Sequence, residues 1–496
     1  MLLFCAAMHG AVARAFSSPA GCTACAALDG MRFRASRHPL PGMPRNRSTA
    51  KGKWMKAAML PVALVCSVLC LSVRPALAAT DIQFWHSMAG PLGEQLSEIT
   101  GRFNRSQTQY RVMPVLKGPA DDAAAAALAA RPGQAPHIVQ VLDIGTAAMM
   151  SAKNGIKPLA QVMADAGEPF NAAGFLPALS SYYADSRGRM LALPFNSSVP
   201  MFYYNRDAFR KAGLDPDKPP LTWPEVKDAA IKLLDAGATP CGFTIAWQSW
   251  YLLESMSAWH NEAFATRDNG FGGTDAKLVF SNQLVIRHIS FLSSWLKSEL
   301  FSYAGRRDEA EAKFVSGECG MLGTSSAAYA NITRSANFEF GVAQAPYYDD
   351  FKGAPFNSIV GGSSLWVMAG KKPAEYAGVA KFFSFLTQPG LLAEWHQQTG
   401  YLPLTVAAYE LSRKQGFYAR NPGADTAMQG MSRKHGALVK GVRLGNFPQL
   451  RKIFDEELEA VWAGKKAPKE ALDTAVTRGN DLLRQFAKTN KFPGTK

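Results

Sequence analysis

Proline fixes its own φ and disfavours helix in the residue before it. The stretch Pro194-Phe195-Asn196-Ser197-Ser198-Val199-Pro200 is bounded by two prolines, so Asn196 to Pro200 is expected to be extended and stiff. Val199 to Tyr204 follows, rich in β-branched and aromatic residues, and suits a buried strand. Such a segment fits an ordinary loop-to-strand junction. It also fits a carrier of hydroxyl donors from one lobe to another. Ile359 to Val367 repeats the pattern, with Gly361-Gly362-Ser363-Ser364 running into an apolar strand. Two such crossings suit two lobes joined by two connectors.

With 496 residues the chain is too long for one ordinary core, so two lobes or domains are expected. Its net charge of +15 is concentrated at the start. Without the ten basic residues and one acid of 1–78, 54 Lys and Arg fall to 44 and 39 acids to 38, a balance of +6. That mild excess suits an anionic small ligand and gives no clustered basic face for nucleic acid. Met55-Lys56, the apolar run Ala57 to Val73 and Ala76-Leu77-Ala78 read as a cleavable signal peptide over 55–78. Residues 1–54 then read as a mis-started or disordered extension, and Cys22-x-x-Cys25 within it carries little weight. After Ala79 only Cys241 and Cys319 remain, as one disulfide or as two buried thiols.

From Asp81 to Asp143 the pattern is strand, helix, strand, helix, strand, as in a mostly parallel α/β sheet. Ligands bind such sheets at strand carboxyl ends. Asp143 stands at one, either as a site carboxylate or as a helix N-cap. Trp247 and Trp250, three apart, would share one side of a helical turn, as pocket wall or as core. Thr222-Trp223-Pro224-Glu225 is a capping box. Cys319 to Ala327 reads as a small-residue turn before a helix, where backbone N–H groups and hydroxyls would seat an anion.

Five blocks of sequence in this order carry a resemblance. They are Gly145-Thr146-Ala147; Pro194 to Ser198 with Tyr203-Tyr204-Asn205; Gly361-Gly362 with Leu365-Trp366-Val367; Trp395-His396 with Thr399 to Pro403; and Arg443 to Asn446 with Pro448-Gln449. The chain resembles the periplasmic solute-binding proteins of ATP-binding-cassette importers, and among them those that bind glycerol phosphates. The resemblance implies a two-lobe binding-protein fold, each lobe a mostly parallel sheet flanked by helices, joined by crossing connectors. The lobes are expected at 79–198 with 362–400 and at 199–361 with 401–496. It implies that Ser198, Ser325, Gly362 through its backbone, Tyr401 and Arg451 surround a phosphate, with Arg451 preferred to its rival Arg443. Trp247 and Trp250 would wall the pocket, and Asp143 would stand at the far end for glycerol hydroxyls. The family's tyrosine after Lys117-Gly118 is absent, because the segment reads Pro119-Ala120-Asp121-Asp122. A roomier headgroup site is expected, suited to glycerophosphodiesters such as glycerophosphocholine.

The implied partners are a small glycerol phosphate ligand and a membrane permease with its ATPase subunits. The protein would be a soluble periplasmic monomer that docks transiently at the membrane, with no cofactor, metal or nucleic acid. A neutral-oligosaccharide binder of the same fold is the alternative. An exported glycerophosphodiesterase would need a metal cluster or acid/base pair, and the six histidines after Ala79 are scattered.

Overall fold

The computed structural model describes residues 79–131, 133–152 and 154–492. The extension at 1–54 and the signal segment at 55–78 lie outside these residues. One compact unit holds everything described. It contains two five-stranded sheets flanked by helices.

The first sheet is built from β1 (Thr80–His86), β2 (Tyr110–Leu116), β3 (Ile138–Leu142) and β4 (Leu193–Ser198). The second holds β5 (Pro200–Asn205), β6 (Cys241–Ile245), β7 (Phe301–Ser302), β8 (Cys319–Ser325) and β9 (Phe340–Gln344). The chain then returns to the first sheet as β10 (Gly361–Val367). The orders are β2-β1-β3-β10-β4 and β7-β6-β8-β5-β9.

Val199 alone separates β4 from β5, so the chain passes from one sheet to the other in a single residue. Every residue of both strands is buried. The crossing is pinned to the end of β8: Ser326 N donates to Val199 O at 2.8 Å, and Val199 N donates to Ser326 Oγ at 3.3 Å.

Four of the five strands in each sheet run the same way. The reversed strands are β10 and β5, each the first that its sheet receives after a crossing. The expectation of mostly parallel sheets therefore holds, with one reversal per sheet set by the connectors.

The stretch from Cys319 is a correction. It is a buried strand, antiparallel to β5 and parallel to β6, and the turn begins only at Ser326. Its glycines serve close packing. A Cβ on Gly323 would come within 2.8 Å of the Tyr251 ring, and one on Gly320 within 2.7 Å of Leu233.

Parallel pairing of β6 with β8 sets Cys241 opposite Cys319, and the two form a disulfide across 78 residues. A bridge stabilises mainly by restricting the unfolded chain. Replacing both cysteines by alanine is expected to lower unfolding free energy by about 2–4 kcal/mol. Urea titrations of the oxidised protein and the variant would measure it, and equal midpoints would contradict it.

Helices fill the faces for ordinary reasons. Trp223–Asp235 starts on the expected capping box, with Thr222 and Glu225 each accepting from the other's backbone. The helix Phe447–Trp462 presents Leu450, Phe454 and Leu458 to the second core, where Phe454 meets Phe264 and Phe280 edge-on. Among the described residues no helix is long and apolar enough to cross a membrane.

Candidate functional site

The carboxyl ends of β3, β4, β6 and β8 point toward one cavity of about 250 Å3. It takes in all eight residues singled out from the sequence: Asp143, Ser198, Trp247, Trp250, Ser325, Gly362, Tyr401 and Arg451. Asp143 directly follows β3, Ser198 closes β4, and Ser325 closes β8. Gly362 comes from β10, where it pairs with Ser197. Its φ is +99°, and a Cβ there would lie 2.0 Å from Asn196 O. Only glycine fits so close to the partner backbone.

Tyr401 follows the helix Pro389–Thr399, and its ring lies parallel to that of Trp395 at 6.4 Å. The Ser325 hydroxyl accepts from Ala327 N at 3.1 Å and so caps the short turn behind it. Both tryptophans line the cavity, and Trp247 O accepts from Tyr251 N at 2.9 Å at the head of the turn that carries Trp250. Trp247 has φ +55°, a left-handed conformation rare for a bulky residue, and Trp250 opens a six-residue π-helix, Trp250–Ser255. The Trp250 ring packs against Gly361, and its buried N–H meets no acceptor among the described residues.

Asp143 does not cap the helix behind it. Its carboxylate accepts from Arg451 Nη2 at 3.3 Å. This corrects the expectation that Asp143 and Arg451 mark opposite ends of the pocket. The same guanidinium donates through Nε and Nη2 to Glu254 at 2.7 and 2.9 Å and sits 5.3 Å above the Phe447 ring. Burial pushes Asp143 up to about 6 even though Arg451 pulls it down. Burial raises Glu254 in the same way. Arg451 is also desolvated, yet Glu254 and Asp143 hold it protonated well above its ordinary value.

Arg443, the rival arginine, is buried elsewhere. Its Nη1 donates to the carbonyls of Tyr182 and Ala184 at 3.2 and 3.0 Å, and its guanidinium lies 4.2 Å over Phe271. Ala120 is buried at the start of the helix Ala120–Ala129 and is not among the cavity-lining residues.

Two lining carboxylates were not singled out from the sequence, Asp308 and Glu311. Thr324 Oγ1 donates to Glu311 at 2.8 Å, and burial pushes that carboxyl up to about 7. Both stand at the start of the helix Glu309–Val315, where acids are common, so nothing in their spacing marks them. Glu254 was also missed. Its signal was an acid standing alone in the apolar run Tyr251-Leu252-Leu253-Glu254-Ser255-Met256.

Two α/β lobes, crossed by the chain and enclosing a cavity of donors, acids and indoles, define a ligand-binding protein of the two-lobe class. Residues 98–426 match the model of the bacterial extracellular solute-binding proteins. The chain belongs to this family. It is 51% identical over 431 residues to the sn-glycerol-3-phosphate-binding periplasmic protein UgpB of Yersinia enterocolitica, covering 86% of this chain and 98% of that one. To the protein of the same name from Salmonella typhimurium it is 52% identical over 419 residues, covering 84% and 95%. The crystal structure of Mycobacterium tuberculosis UgpB in complex with glycerophosphocholine superposes with a TM-score of 0.69 at 22% identity, covering 82% of this chain and 99% of that one. The cyclic alpha-maltosyl-1,6-maltose binding protein of Arthrobacter globiformis does so at 0.64 and 22%, covering 82% and 100%. At such identities these two solved structures speak for the fold alone.

Proposed function

We propose that this protein is the periplasmic solute-binding component of an ATP-binding-cassette importer. It takes sn-glycerol-3-phosphate, or glycerophosphodiesters such as glycerophosphocholine, into the cavity between its lobes and delivers them to the permease. One observation carries the reading: Ser198, Ser325, Gly362, Tyr401 and Arg451 come from five separate segments and line one cavity. Hydroxyls, a backbone N–H and a guanidinium are the donors that a phosphate's oxygens need. The names of the half-identical relatives agree with that donor set.

The diester arm has its own support. Asp308 and Glu311 line the same cavity as Trp247 and Trp250. A carboxylate such as Asp308 sharing a pocket with two indoles favours an ammonium headgroup. Transport follows if ligand stabilises the closed lobes by binding them more tightly than the open ones.

The test is isothermal titration of refolded protein with glycerol-3-phosphate, glycerophosphocholine and maltose. Heat with either phosphate ligand and none with maltose is expected. Binding of maltose alone would leave the fold and remove the ligand assignment.

A further inference from the structure

Arg451 is held unequally by its two carboxylates. Glu254 gives both oxygens to one edge of the guanidinium, at 2.7 Å from Nε and 2.9 Å from Nη2. Asp143 touches Nη2 only, at 3.3 Å. The Glu254 side chain is 2% exposed and that of Arg451 16%. Glu254 sits in the π-helix Trp250–Ser255 and Arg451 on the helix Phe447–Trp462, whose apolar residues share the core of the second sheet. Asp143 reaches across from the end of β3 in the first.

A carboxylate gripping Nε and Nη2 together fixes the plane of the guanidinium and its rotation. Nη1 lies outside both pairs. A buried partner that orients a ligand-binding group in this way governs affinity without touching the ligand.

We propose that Glu254 is a positioning residue: it holds Arg451 by the Nε–Nη2 edge so that the rest of the guanidinium is presented to the bound anion. This rests on the phosphate reading of the same cavity. Glu254→Ala is expected to lower affinity for glycerol-3-phosphate by about 10–100-fold, and Glu254→Asp, which keeps a carboxylate, to recover part of that loss.

The deciding measurement is a double-mutant cycle with Arg451→Lys, whose single ammonium has no edge to grip. If Glu254 acts through Arg451, E254A/R451K binds no more weakly than R451K alone. If Glu254 merely stabilises the fold, the two losses multiply, and the proposal falls. Wild-type affinity in E254A overturns it equally. Should E254A fail to fold, E254Q, which retains one acceptor oxygen, runs the same cycle. A wild-type protein that takes up neither glycerol-3-phosphate nor glycerophosphocholine removes the phosphate reading and this proposal with it. Multiplying losses in a protein that does bind remove this proposal alone.

Discussion

Replacing Arg451 by methionine is expected to weaken binding of glycerol-3-phosphate by about 100-fold or more, because hydrogen bonds to charged groups contribute about 1.5–3 kcal/mol each. Methionine keeps much of the side-chain bulk over Phe447, so the loss reports the guanidinium. The same change strands two buried carboxylates, and breaking a buried pair from one side costs about 3–5 kcal/mol.

That second effect has a pH signature. Burial raises Asp143 to about 6 and also raises Glu254, while Arg451 is the main influence pulling both down. Without it both rise further. A carboxyl whose folded pKa exceeds its unfolded value near 4 is protonated in the folded state where the unfolded chain has released its proton. Stability therefore falls as pH rises from about 4 through the folded pKa. At pH 5, below that value, Asp143 is expected to be mostly protonated in both folded proteins. The deficit of Arg451→Met should therefore open as pH climbs above about 6. Urea unfolding at pH 5 and pH 8 measures it. A deficit equal at both would mean that Arg451 does not compensate these carboxylates.

The parts of this site that were legible in the sequence were those with strong local rules. Two prolines around Asn-Ser-Ser forced an extended crossing, and the structure reduces that crossing to Val199. An acid after a near-continuous apolar strand marked Asp143 at the end of β3. Arg451 and Tyr401 came instead from resemblance, because nothing local distinguishes them, and so did the ligand role of Gly362, although its segment was marked locally as a connector.

What failed did so where tertiary packing overrode a local pattern. The small residues of Cys319 to Ser325 read as a turn, but Gly320 and Gly323 are small because Leu233 and Tyr251 press on them. Helical spacing placed Trp247 and Trp250 on one face. They do line one cavity, but Trp247 enters the turn in a left-handed conformation and Trp250 opens a π-turn, which spacing alone does not show. The largest error was to separate Asp143 from Arg451. Pairing across 308 residues has no local signature, and neither does the clamp of Glu254 across 197.

Gly362→Ala tests the backbone geometry on which the site stands. The new Cβ would lie 2.0 Å from Asn196 O and 3.0 Å from Ser197 Cα, both backbone atoms of the partner strand β4. No flexible side chain is available to move aside. The residue would also have to hold φ +99°, a region that costs a non-glycine residue about 1–3 kcal/mol. Together with overpacking in a buried sheet, a loss of about 3 kcal/mol or more in stability is expected. Relief of the clash requires β10 to move away from β4. Because β4 carries Ser198 and β10 carries the Gly362 N–H, the same movement spreads two of the proposed phosphate donors. Binding should therefore fall even at temperatures where the variant remains folded. Gly390→Ala is the matched control. It lies in the first turn of the helix Pro389–Thr399, and a methyl group there would meet nothing within 4 Å, so the change should be neutral or slightly stabilising. Urea unfolding and glycerol-3-phosphate titration of the two variants separate the outcomes. Gly362→Ala with wild-type stability would mean that the strands are not this close. Gly362→Ala that is destabilised yet binds as the wild type would mean that the Gly362 N–H is not a ligand donor.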